Sequence, residues 1–450
     1  MIVIVGGGIS GLSAAWHLHR AGQNCTLIEK NANLGGVLDT AVWEDCVLEG
    51  GPDSFLAIKP EAAQLARELG LEHELISSND AGRVTGVWKH GRLVPLPEGM
   101  MMMVPTKVMP MLRSPLLSWG TKIRMGLEYF RRPGEPQADH SVAAFIEDHY
   151  GREAVDYLAD PLLSGVYGGS ANALSADSVL TRFVELERRY GSLTRGVLES
   201  RKKSPPGESA LFRTMKRGLG SLAEAIRASV GDHMRVIHGE VRALERSGNA
   251  WRMRVGADWL DASAVILATP AWAAGRLLRP LDAELARLLE TVDYSSSITI
   301  SLVYRPGRLK PDPVGFGFLV PRVEKRNLLA CTFVHNKFPF RAPPGYAILR
   351  CFLGGAGNAG VVEESDDQLM SAVMRDLHDI MGITVQPDHR RIVRWRRAMA
   401  QYTVGHAHRM RAVEERRKAL PGLHLAGNAF SGIGISDCIR TGRQAAQAAL

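Results

Sequence analysis

Short apolar runs and glycine-rich turns follow one another in the same order at both ends of the chain. Near the N-terminus, IVIV (residues 2–5) predicts a buried strand, and Leu12, Ala15 and Trp16 recur at helical spacing after a glycine turn. Near the C-terminus, residues 423–426 predict another strand, again followed by a glycine-rich turn and a helix of small residues. The pattern predicts one strand–turn–helix unit at each end.

The segments between these units show three further patterns. Residues from about 100 to 205 have mainly helical spacing, and KKSPPGES (residues 202–209) predicts a loop that closes this helical part. The next stretch, to about residue 285, contains alternating strands. From about residue 286 to 402, runs such as SITISLVYR and YAILRCFLGG predict a mainly antiparallel sheet. A chain of 450 residues with these changes is expected to hold two or three domains.

Composition excludes several classes of protein. With 45% hydrophobic and 23% charged residues, the chain is typical of folded globular proteins. Its five cysteines include no CxxC pair, which argues against a disulfide framework or a zinc site and implies a reducing compartment. The N-terminus lacks the basic leader of a signal peptide. The apolar run near residue 100 is broken by Lys107, Arg113 and three prolines, so it does not predict a membrane span.

The net charge of +8 does not by itself identify a partner. We predict no nucleic acid binding, because the basic residues recur as pairs such as Arg131 and Arg132 rather than along one recognition helix. The two histidines of GHAH (residues 405–408) have no acidic third ligand near them in sequence. We therefore expect no metal.

The first glycine turn predicts a dinucleotide site. Gly6, Gly8 and Gly11 fit the GxGxxG spacing, in which backbone approaches a pyrophosphate at a helix N-terminus. The following strand, CTLIE, ends in Glu29, placed to accept hydrogen bonds from a ribose. A negative side chain at this point disfavours NADP.

Further glycines favour FAD over NAD. Gly35 and Gly36 follow the acidic strand, and EGGPDSF supplies another pair at residues 50–51. Asp53 and Ser54 resemble a helix N-cap, so we expect a helix to begin there, beneath a ring system.

Together these motifs resemble those of oxygen-dependent protoporphyrinogen or coproporphyrinogen oxidases, within the amine-oxidase-like flavoproteins. The resemblance rests on the turns above, on SGVYGGSANALSADS, GFGFLVP and VILATPA, and on AGNAFSGIGISDCIRTG near the C-terminus. It implies that the C-terminal strand returns to the first sheet, so that both glycine turns hold one FAD. Cys438 is expected to be a buried thiol, and FAD to be non-covalent.

The resemblance also implies the fold class and its division into domains. We expect an α/β protein with a Rossmann-like FAD-binding domain of residues 1–85, 206–285 and 403–450. A helical insertion of residues 100–205 is expected to touch the membrane or line the substrate tunnel, and residues 86–99 and 286–402 to form an α+β substrate domain with a mainly antiparallel sheet.

The expected cofactor-binding residues follow from the turns and the resemblance. They are Gly6, Gly8, Ile9, Ser10, Gly11, Glu29, Lys30, Gly35, Gly36, Gly51, Pro52, Asp53, Ser54, Val241, Gly427, Asn428, Ile433, Gly434, Ile435 and Ser436. For substrate, the resemblance implies Arg83 as a carboxylate ligand and Gly165 as a backbone position beside the macrocycle. No catalytic base is assigned.

The implied reaction is oxidation of protoporphyrinogen IX to protoporphyrin IX in haem biosynthesis, with molecular oxygen as oxidant and hydrogen peroxide released. Coproporphyrinogen III is the alternative substrate. A more remote alternative is that the protein is an amine oxidase or a carotenoid desaturase. Ala400 replaces a proline common in the family, and Ser170 an acid, which affects the shape of the pocket rather than the fold. The expected partners also include the next enzyme of the pathway.

We expect a cytoplasmic monomer or homodimer, with peripheral contact to the inner face of the membrane. The apolar and basic side chains of residues 100–132 suggest such a contact. The alternative is that the methionines of this segment line the substrate tunnel or a core.

Overall fold

The computed structural model describes residues 1–135, 138–203, 210–248 and 250–450. Residues 204–209, which hold most of the expected proline- and glycine-rich loop, lie outside these ranges. Lys202 and Lys203, the first two residues of that loop, belong instead to the end of a helix.

A five-stranded parallel sheet joins the two ends of the chain. Its strands, in spatial order, are β12 (Met234–His238), β2 (Cys25–Glu29), β1 (Ile2–Val5), β16 (Ala264–Leu267) and β22 (Leu423–Leu425). Ile2 and Ile4 are buried on one face, and Val3 and Val5 on the other. Burial on both faces is the usual condition of a parallel sheet, because helices or other layers cover each side.

A seven-stranded sheet forms the second main layer. Its order is β21 (His389–Ala400), β17 (Tyr294–Tyr304), β20 (Ala347–Gly354), β19 (Leu328–Phe333), β18 (Gly317–Leu319), β7 (Thr85–Lys89) and β8 (Arg92–Pro95). All neighbours are antiparallel except β18 and β7. Strands from the two segments expected in the substrate domain thus share one sheet, whereas the domain boundaries themselves stay predictions.

Smaller sheets flank these two layers. They are β5 (Phe55–Leu56), β11 (Phe212–Met215) and β6 (Leu75–Ser77); β13 (Val241–Ser247), β14 (Ala250–Val255) and β15 (Asp258–Ala262); β3 (Thr40–Trp43) with β4 (Cys46–Glu49); and β9 (Met100–Met101) with β10 (Val104–Pro105). The helix expected at Asp53 and Ser54 was wrong, because β5 begins at Phe55 and the next helix starts at Glu61.

Helices cover the sheets and fill the segment near residues 108–203. They are α1 (Ile9–Arg20), α2 (Glu61–Glu68), α3 (Val108–Arg113), α4 (Trp119–Glu128), α5 (Val142–Tyr150), α6 (Arg152–Ala154), α7 (Asp160–Tyr167), α8 (Ala176–Val179), α9 (Thr181–Tyr190), α10 (Leu193–Lys203), α11 (Gly220–Val230), α12 (Ala271–Leu278), α13 (Ala283–Glu290), α14 (Val334–Lys337), α15 (Asp366–Met381), α16 (His406–Arg417) and α17 (Ile435–Ala449). Among the described helices, none combines the length and apolar character needed to cross a bilayer.

A buried histidine connects four helices of the helical part. His149 on α5 bonds through Nδ1 to Glu128 at the end of α4, at 2.8 Å, and through Nε2 to Glu187 on α9, at 3.1 Å. Glu128 also accepts from the Leu193 amide, at 2.6 Å, where α10 begins. Burial alone lowers the pKa of His149, but the bonds to both carboxylates outweigh it and hold the pKa above its usual value. The imidazolium therefore links α5 to α4 and α9 by charge-assisted bonds, and Glu128 extends the link to α10.

We expect His149→Gln to destabilise the protein more at pH 6 than at pH 9. Because the pKa of His149 is higher in the folded than in the unfolded protein, its protonation stabilises the folded state. This stabilisation is fully present below the pKa of unfolded histidine, about 6.5, and it is lost as the pH rises through the pKa of the folded state. The loss at pH 6 should be roughly 1.5–3 kcal/mol, the contribution of a charged hydrogen bond. Urea unfolding at both pH values measures it, with the exposed His408→Gln as control. Equal losses at both pH values would contradict the ionic link.

Candidate active site

The carboxyl ends of the parallel strands meet at one edge and form a crevice. The chain passes from β1 through α1 to β2 on one side, whereas β16 lies on the other side of β1. Ligands of open α/β sheets bind at such a point, where neighbouring strands lead away in opposite directions. We call this edge the dinucleotide crevice.

The first glycine turn leaves an open space at the start of α1. Gly6 has a φ of +108°, and a Cβ there would lie 2.5 Å from the carbonyl oxygen of Ala268 on the far side of the crevice. Among the described residues, a Cβ at Gly8, which precedes α1, would meet nothing within 4 Å, and no side chain caps the helix. Gly11 packs so closely that a Cβ would overlap the carbonyl oxygen of Gly6. The free amides of α1 thus face a space suited to a phosphate, as the sequence predicted for Gly8, Ile9 and Ser10.

Glu29 lies beside this turn at the end of β2. Its Oε2 accepts from the Gly7 amide at 2.7 Å, and Oε1 accepts from the backbone and side chain of Asn31, both at 2.8 Å. Oε2 accepts one bond and so keeps a lone pair for a further donor, whereas Oε1 already accepts two. The neighbouring Lys30 is exposed, and Val241 is buried where β13 begins, next to β12. Because His238 of β12 pairs with Glu29 of β2, the structure brings Glu29 and Val241 to the same side of the crevice.

The second glycine pair packs directly on the first turn. The Gly35 amide donates to the carbonyl of Gly7 at 2.8 Å, and a Cβ at Gly36 would lie 3.1 Å from the Cα of Gly8. Both residues have positive φ, +108° and +61°, which favours glycine. These two predicted turns therefore form one continuous wall of the crevice.

Asp53 lies in an ion-pair network rather than at a helix N-cap. Lys337 Nζ is 3.1 Å from Oδ1 of Asp53, and Arg350 Nη1 is 3.6 Å from Oδ2. Burial raises the pKa of Asp53, but these two cations outweigh burial and hold the pKa well below its usual range. Ser54 donates to Asp53 at 2.6 Å, and Arg350 also donates to the carbonyl of Gly51. The segment from Gly51 through Pro52 to Ser54 is thus fixed to the seven-stranded sheet.

A second buried pair adjoins this network. Arg341, with a side chain 0% exposed, lies 2.8 Å from Oε1 of Glu49 at the end of β4. Glu49 also accepts from the Leu219 amide at 2.7 Å. Glu49, Asp53, Lys337, Arg341 and Arg350 form what we call the buried charge cluster. The three cations of this cluster were not predicted from the sequence. They lie in KFPFR (residues 337–341) and LRCF (residues 349–352), and neither stretch has a spacing that marks its cations as partners of Glu49 or Asp53.

The C-terminal turn closes the crevice from the opposite end of the chain. Gly427 has a φ of +134°, and the Asn428 side chain donates to the carbonyl of Ala398 at 2.9 Å. The Tyr402 hydroxyl donates to the carbonyl of Asn428 and accepts from the Gly432 amide, both at 2.8 Å. Tyr402, which was not among the predicted site residues, therefore sets the shape of this turn.

Helix α17 begins immediately after the turn. Ile433 and Gly434 precede it, and its first residue, Ile435, is buried. Ser436 donates to the carbonyl of Lys59 at 3.2 Å, and Lys59 Nζ pairs with Asp437 at 2.6 Å.

The helices from the two ends of the chain are in close contact. A Cβ at Gly442 on α17 would overlap the carbonyl oxygen of Ser10, and Ser13 donates to the carbonyl of Ile439 at 2.8 Å. Cys438 is buried in this contact, and burial raises the pKa of its thiol to about 11, which favours the protonated form. The two glycine turns therefore share one crevice.

Arg83 and Gly165 lie on neighbouring elements beyond this crevice. Arg83 is exposed two residues before β7, and among the described residues its guanidinium has no hydrogen bond or ion pair. Gly165 is exposed within α7 rather than in a turn, and of the atoms that the structure describes, a Cβ there would meet only Leu319 Cδ2, at 3.8 Å. Leu319 belongs to β18, which pairs with β7. The structure thus leaves open space at Gly165.

The end of α7 also faces the C-terminal turn. The Gln401 side chain donates to the carbonyl of Tyr167 at 2.7 Å. Burial raises the pKa of Tyr167 to about 12, and the nearby Asp437 carboxylate adds to the shift. Helix α7 therefore borders the start of α17.

A metal at the helical part is not supported by its geometry. Ligand atoms of Asp148, His149 and Glu187 lie within 4.8 Å of one another. Both ring nitrogens of His149 already bond to carboxylates. The absence of a metal stays a prediction.

Known proteins resemble this chain over nearly its whole length. The model of a family described as flavin containing amine oxidoreductase matches residues 9–450. The chain is 33% identical to coproporphyrinogen III oxidase of Bacillus subtilis (strain 168), with 100% of this chain and 97% of that protein covered. It is 29% identical to protoporphyrinogen oxidase 1, chloroplastic, of Arabidopsis thaliana, over 97% and 85% of the two chains. A solved structure from Exiguobacterium sp. 255-15, provisionally described as a protoporphyrinogen oxidase, has a TM-score of 0.89 and 31% identity, covering 99% and 97%.

These similarities confirm the predicted α/β flavoprotein fold, the predicted oxidoreductase class and FAD as the cofactor. The open space at Gly8 and the uncapped start of α1 fit a dinucleotide. The chain belongs to the flavin containing amine oxidoreductase family.

Proposed function

We propose that this chain oxidises a porphyrinogen to the corresponding porphyrin, with FAD as electron acceptor and molecular oxygen as final oxidant. The observation that carries the proposal is the position of α7, which borders the dinucleotide crevice and leaves open space at Gly165. A flat macrocycle needs such a side-chain-free surface beside the cofactor. The names of the relatives point to the same substrate class.

Bound FAD would supply a two-electron acceptor for hydride. A porphyrinogen loses six hydrogens on the way to a porphyrin, so three such oxidations are needed, each matched by reduction of one oxygen molecule to hydrogen peroxide. The chain contributes binding and orientation, which suffice where aromatisation drives the reaction. We assign no side chain as general base.

The proposed FAD contacts are those predicted from the sequence. The glycine turn, with Ile9, Ser10 and Gly11, would hold the diphosphate, and Glu29, Lys30 and Val241 would adjoin the adenosine. Gly35 and Gly36 would support the first turn. The segment from Gly51 to Ser54 and the turn from Gly427 to Ser436 would border the flavin.

Of the two substrates, we propose coproporphyrinogen III first. The specific observation is that relatives from Bacillus subtilis and Propionibacterium freudenreichii, at 33% and 31% identity, are both named coproporphyrinogen III oxidase. Protoporphyrinogen IX, the first expectation from the sequence, is the second candidate, since chloroplast relatives at 29% and 30% identity are named for it.

A fluorescence assay tests the reaction and the substrate together. The purified protein should be yellow and should generate porphyrin fluorescence from coproporphyrinogen III in air, with about three peroxides released per porphyrin. A parallel assay with protoporphyrinogen IX gives the ratio of kcat/KM values. A yellow protein that oxidises neither compound would overturn the proposal.

We expect Arg83→Ala to raise the KM for the porphyrinogen about tenfold while the flavin spectrum stays unchanged. Loss of a charged hydrogen bond to a carboxylate corresponds to roughly 1.5–3 kcal/mol. Arg83 is exposed and unpaired within the described part of the chain, so its removal should not disturb the fold. Steady-state kinetics checks this, with the exposed Arg235→Ala as control. An unchanged KM would show that Arg83 is a surface residue that does not bind the substrate.

We also propose that the protein docks on anionic membranes through one face of α3 and α4. Its exposed apolar side chains are Val108, Met109, Leu112, Trp119, Ile123, Leu127 and Phe130. This docking face is flanked by Arg113 and Arg132, whose guanidinium groups form no hydrogen bond or ion pair within the described part of the chain, as anionic lipid would require. Met103, Met111, Leu116 and Leu117 do not belong to this face, because they are buried in the helical core, which is the alternative that the sequence left open for this segment. A cytoplasmic monomer or homodimer that passes its product to the next pathway enzyme would fit such docking.

Sedimentation with liposomes tests the docking face. Most of the wild-type protein should sediment with anionic vesicles at low salt, and a Trp119→Glu, Phe130→Glu variant should remain in the supernatant. These residues are 64% and 73% exposed, so the fold should tolerate the change. Val42→Glu, also at an exposed position, is the control. Wild-type protein that stays in the supernatant at every salt concentration would refute the docking.

A further inference from the structure

Two arginines without ion-pair partners lie against one tryptophan at the edge of the dinucleotide crevice. The guanidinium carbons of Arg276 and Arg397 are 5.0 and 4.8 Å from the ring centroid of Trp272. Within the described ranges, neither guanidinium has an ion pair or a hydrogen bond. The two guanidinium carbons cannot be further apart than the sum of those distances, so their charges repel each other, and an anion between or beside them would offset this repulsion.

The backbone at Arg397 is strained, and the strain is tied to the C-terminal turn. Arg397 has a φ of +46° within β21, where the register with β17 shifts between Ser295 and Ser297. Its amide donates to the Ser296 hydroxyl at 3.0 Å. The next residue, Ala398, accepts from Asn428 of the C-terminal turn. Strain of this kind in a non-glycine residue persists where the surrounding structure enforces it, and it is concentrated at ligand sites.

Two buried polar atoms beside these arginines also lack partners. They are the indole Nε1 of Trp272 and the hydroxyl of Thr269, and no hydrogen-bonding atom of the described residues reaches either. Thr269 follows β16 between the two glycine turns: a Cβ at Gly6 would lie 3.4 Å from its Cγ2, and one at Gly427 would lie 3.8 Å from its carbonyl oxygen. Buried donors of this kind are costly unless a ligand or water accepts from them.

We propose that Arg276 and Arg397, with the Trp272 indole and the Thr269 hydroxyl, form an anion subsite for the FAD diphosphate. The subsite lies on the β16 side of the crevice, opposite Gly8, and the inference rests on the FAD-binding function proposed for this crevice. The first turn offers a phosphate backbone amides and the α1 N-terminus, and the glycine pair at residues 35–36 is followed by Val37 rather than by a cation. Guanidinium groups complete the site because they bind phosphate oxygens in pairs of hydrogen bonds.

FAD titration of the apoprotein, followed by flavin fluorescence, measures the subsite directly. We expect Arg276→Gln and Arg397→Gln each to raise the Kd for FAD about tenfold, and the double variant about a hundredfold. Raising NaCl from about 50 to 500 mM should weaken FAD binding by the wild type more than by the double variant, because screening acts on charges. Arg397→Lys should recover part of the affinity. Arg375→Gln, an exposed arginine on α15, is the matched control.

The possible outcomes distinguish failure of this subsite from failure of FAD binding in the dinucleotide crevice. An unchanged Kd for FAD in the double variant would overturn the subsite, and a raised KM for the porphyrinogen alongside it would reassign the arginines to substrate carboxylates. If the wild-type apoprotein bound no FAD, the proposed crevice itself would fail. Arg276 is exposed on the surface of α12, so its single variant keeps the test valid even if changes at the strained Arg397 impair folding.

Discussion

Gly11→Val should yield a colourless protein that no longer binds FAD. A Cβ at Gly11 would overlap the carbonyl oxygen of Gly6 and lie 3.3 Å from Ile4 Cγ2, so α1 would have to move away from β1. That movement displaces the amides at Gly8 from the position a phosphate needs. Overpacking typically costs about 1–3 kcal/mol and sometimes more, and the upper value corresponds to roughly a hundredfold in Kd. Flavin absorbance after purification and FAD titration of the apoprotein measure the effect.

Gly126→Val is the control for this variant. Gly126 is exposed in α4, and a Cβ there would meet no described atom within 4 Å, so the same substitution adds bulk without a clash. It should stay yellow. A stoichiometrically loaded Gly11→Val protein would show that close packing of α1 on β1 is not required for the cofactor.

Arg341→Met should lower the free energy of unfolding by about 3–5 kcal/mol, the usual cost of removing one partner from a buried ion pair. Glu49, its partner at 2.8 Å, has a side chain 1% exposed and would be left as a buried charge without its cation. The Arg341 guanidinium also donates to Thr214 and to the carbonyl of Met215, so two further acceptors would lose a donor. Urea unfolding at pH 7, followed by circular dichroism, measures the change.

A second substitution distinguishes charge from packing in this pair. Glu49→Gln combined with Arg341→Met removes the uncompensated charge and should recover part of the lost stability. Arg287→Met breaks an exposed pair with Glu284 and should change little, since surface pairs contribute weakly. If the single and double variants were equally unstable, the effect would belong to the lost volume of the arginine.

The crevice was predictable from sequence because its signals are local. Gly6, Gly8, Gly11 and Glu29 mark a strand, a turn and an acid within a short stretch, and the turn at Gly427 repeats the pattern. Such turns need glycine because other backbone passes close to them, and this requirement shows in the local sequence. The structure places all of these residues at one edge, as the sequence indicated.

The partners of Asp53 were beyond sequence reasoning because they come from a distant part of the chain. Asp53 followed by Ser54 has the composition of an N-cap, and local pattern favoured a helix. Lys337 and Arg350 instead reach it from α14 and β20, and tertiary ion pairs determined the conformation. Arg276 and Arg397 escaped notice for the same reason, since only the fold brings α12 and the irregular part of β21 to one tryptophan.

The position of β22 delays completion of the dinucleotide crevice until the end of translation. Its strand pairs with β16, and its turn completes the crevice that begins at Gly6, so the crevice cannot close before the last strand has left the ribosome. At about 5–20 residues per second, the finished N-terminal turn waits on the order of 20–80 seconds for its counterpart. During that interval the surface of α1 that α17 later covers stays uncovered. The cofactor therefore binds only when synthesis of the chain is almost finished. Chaperones that protect the nascent chain matter most before that point.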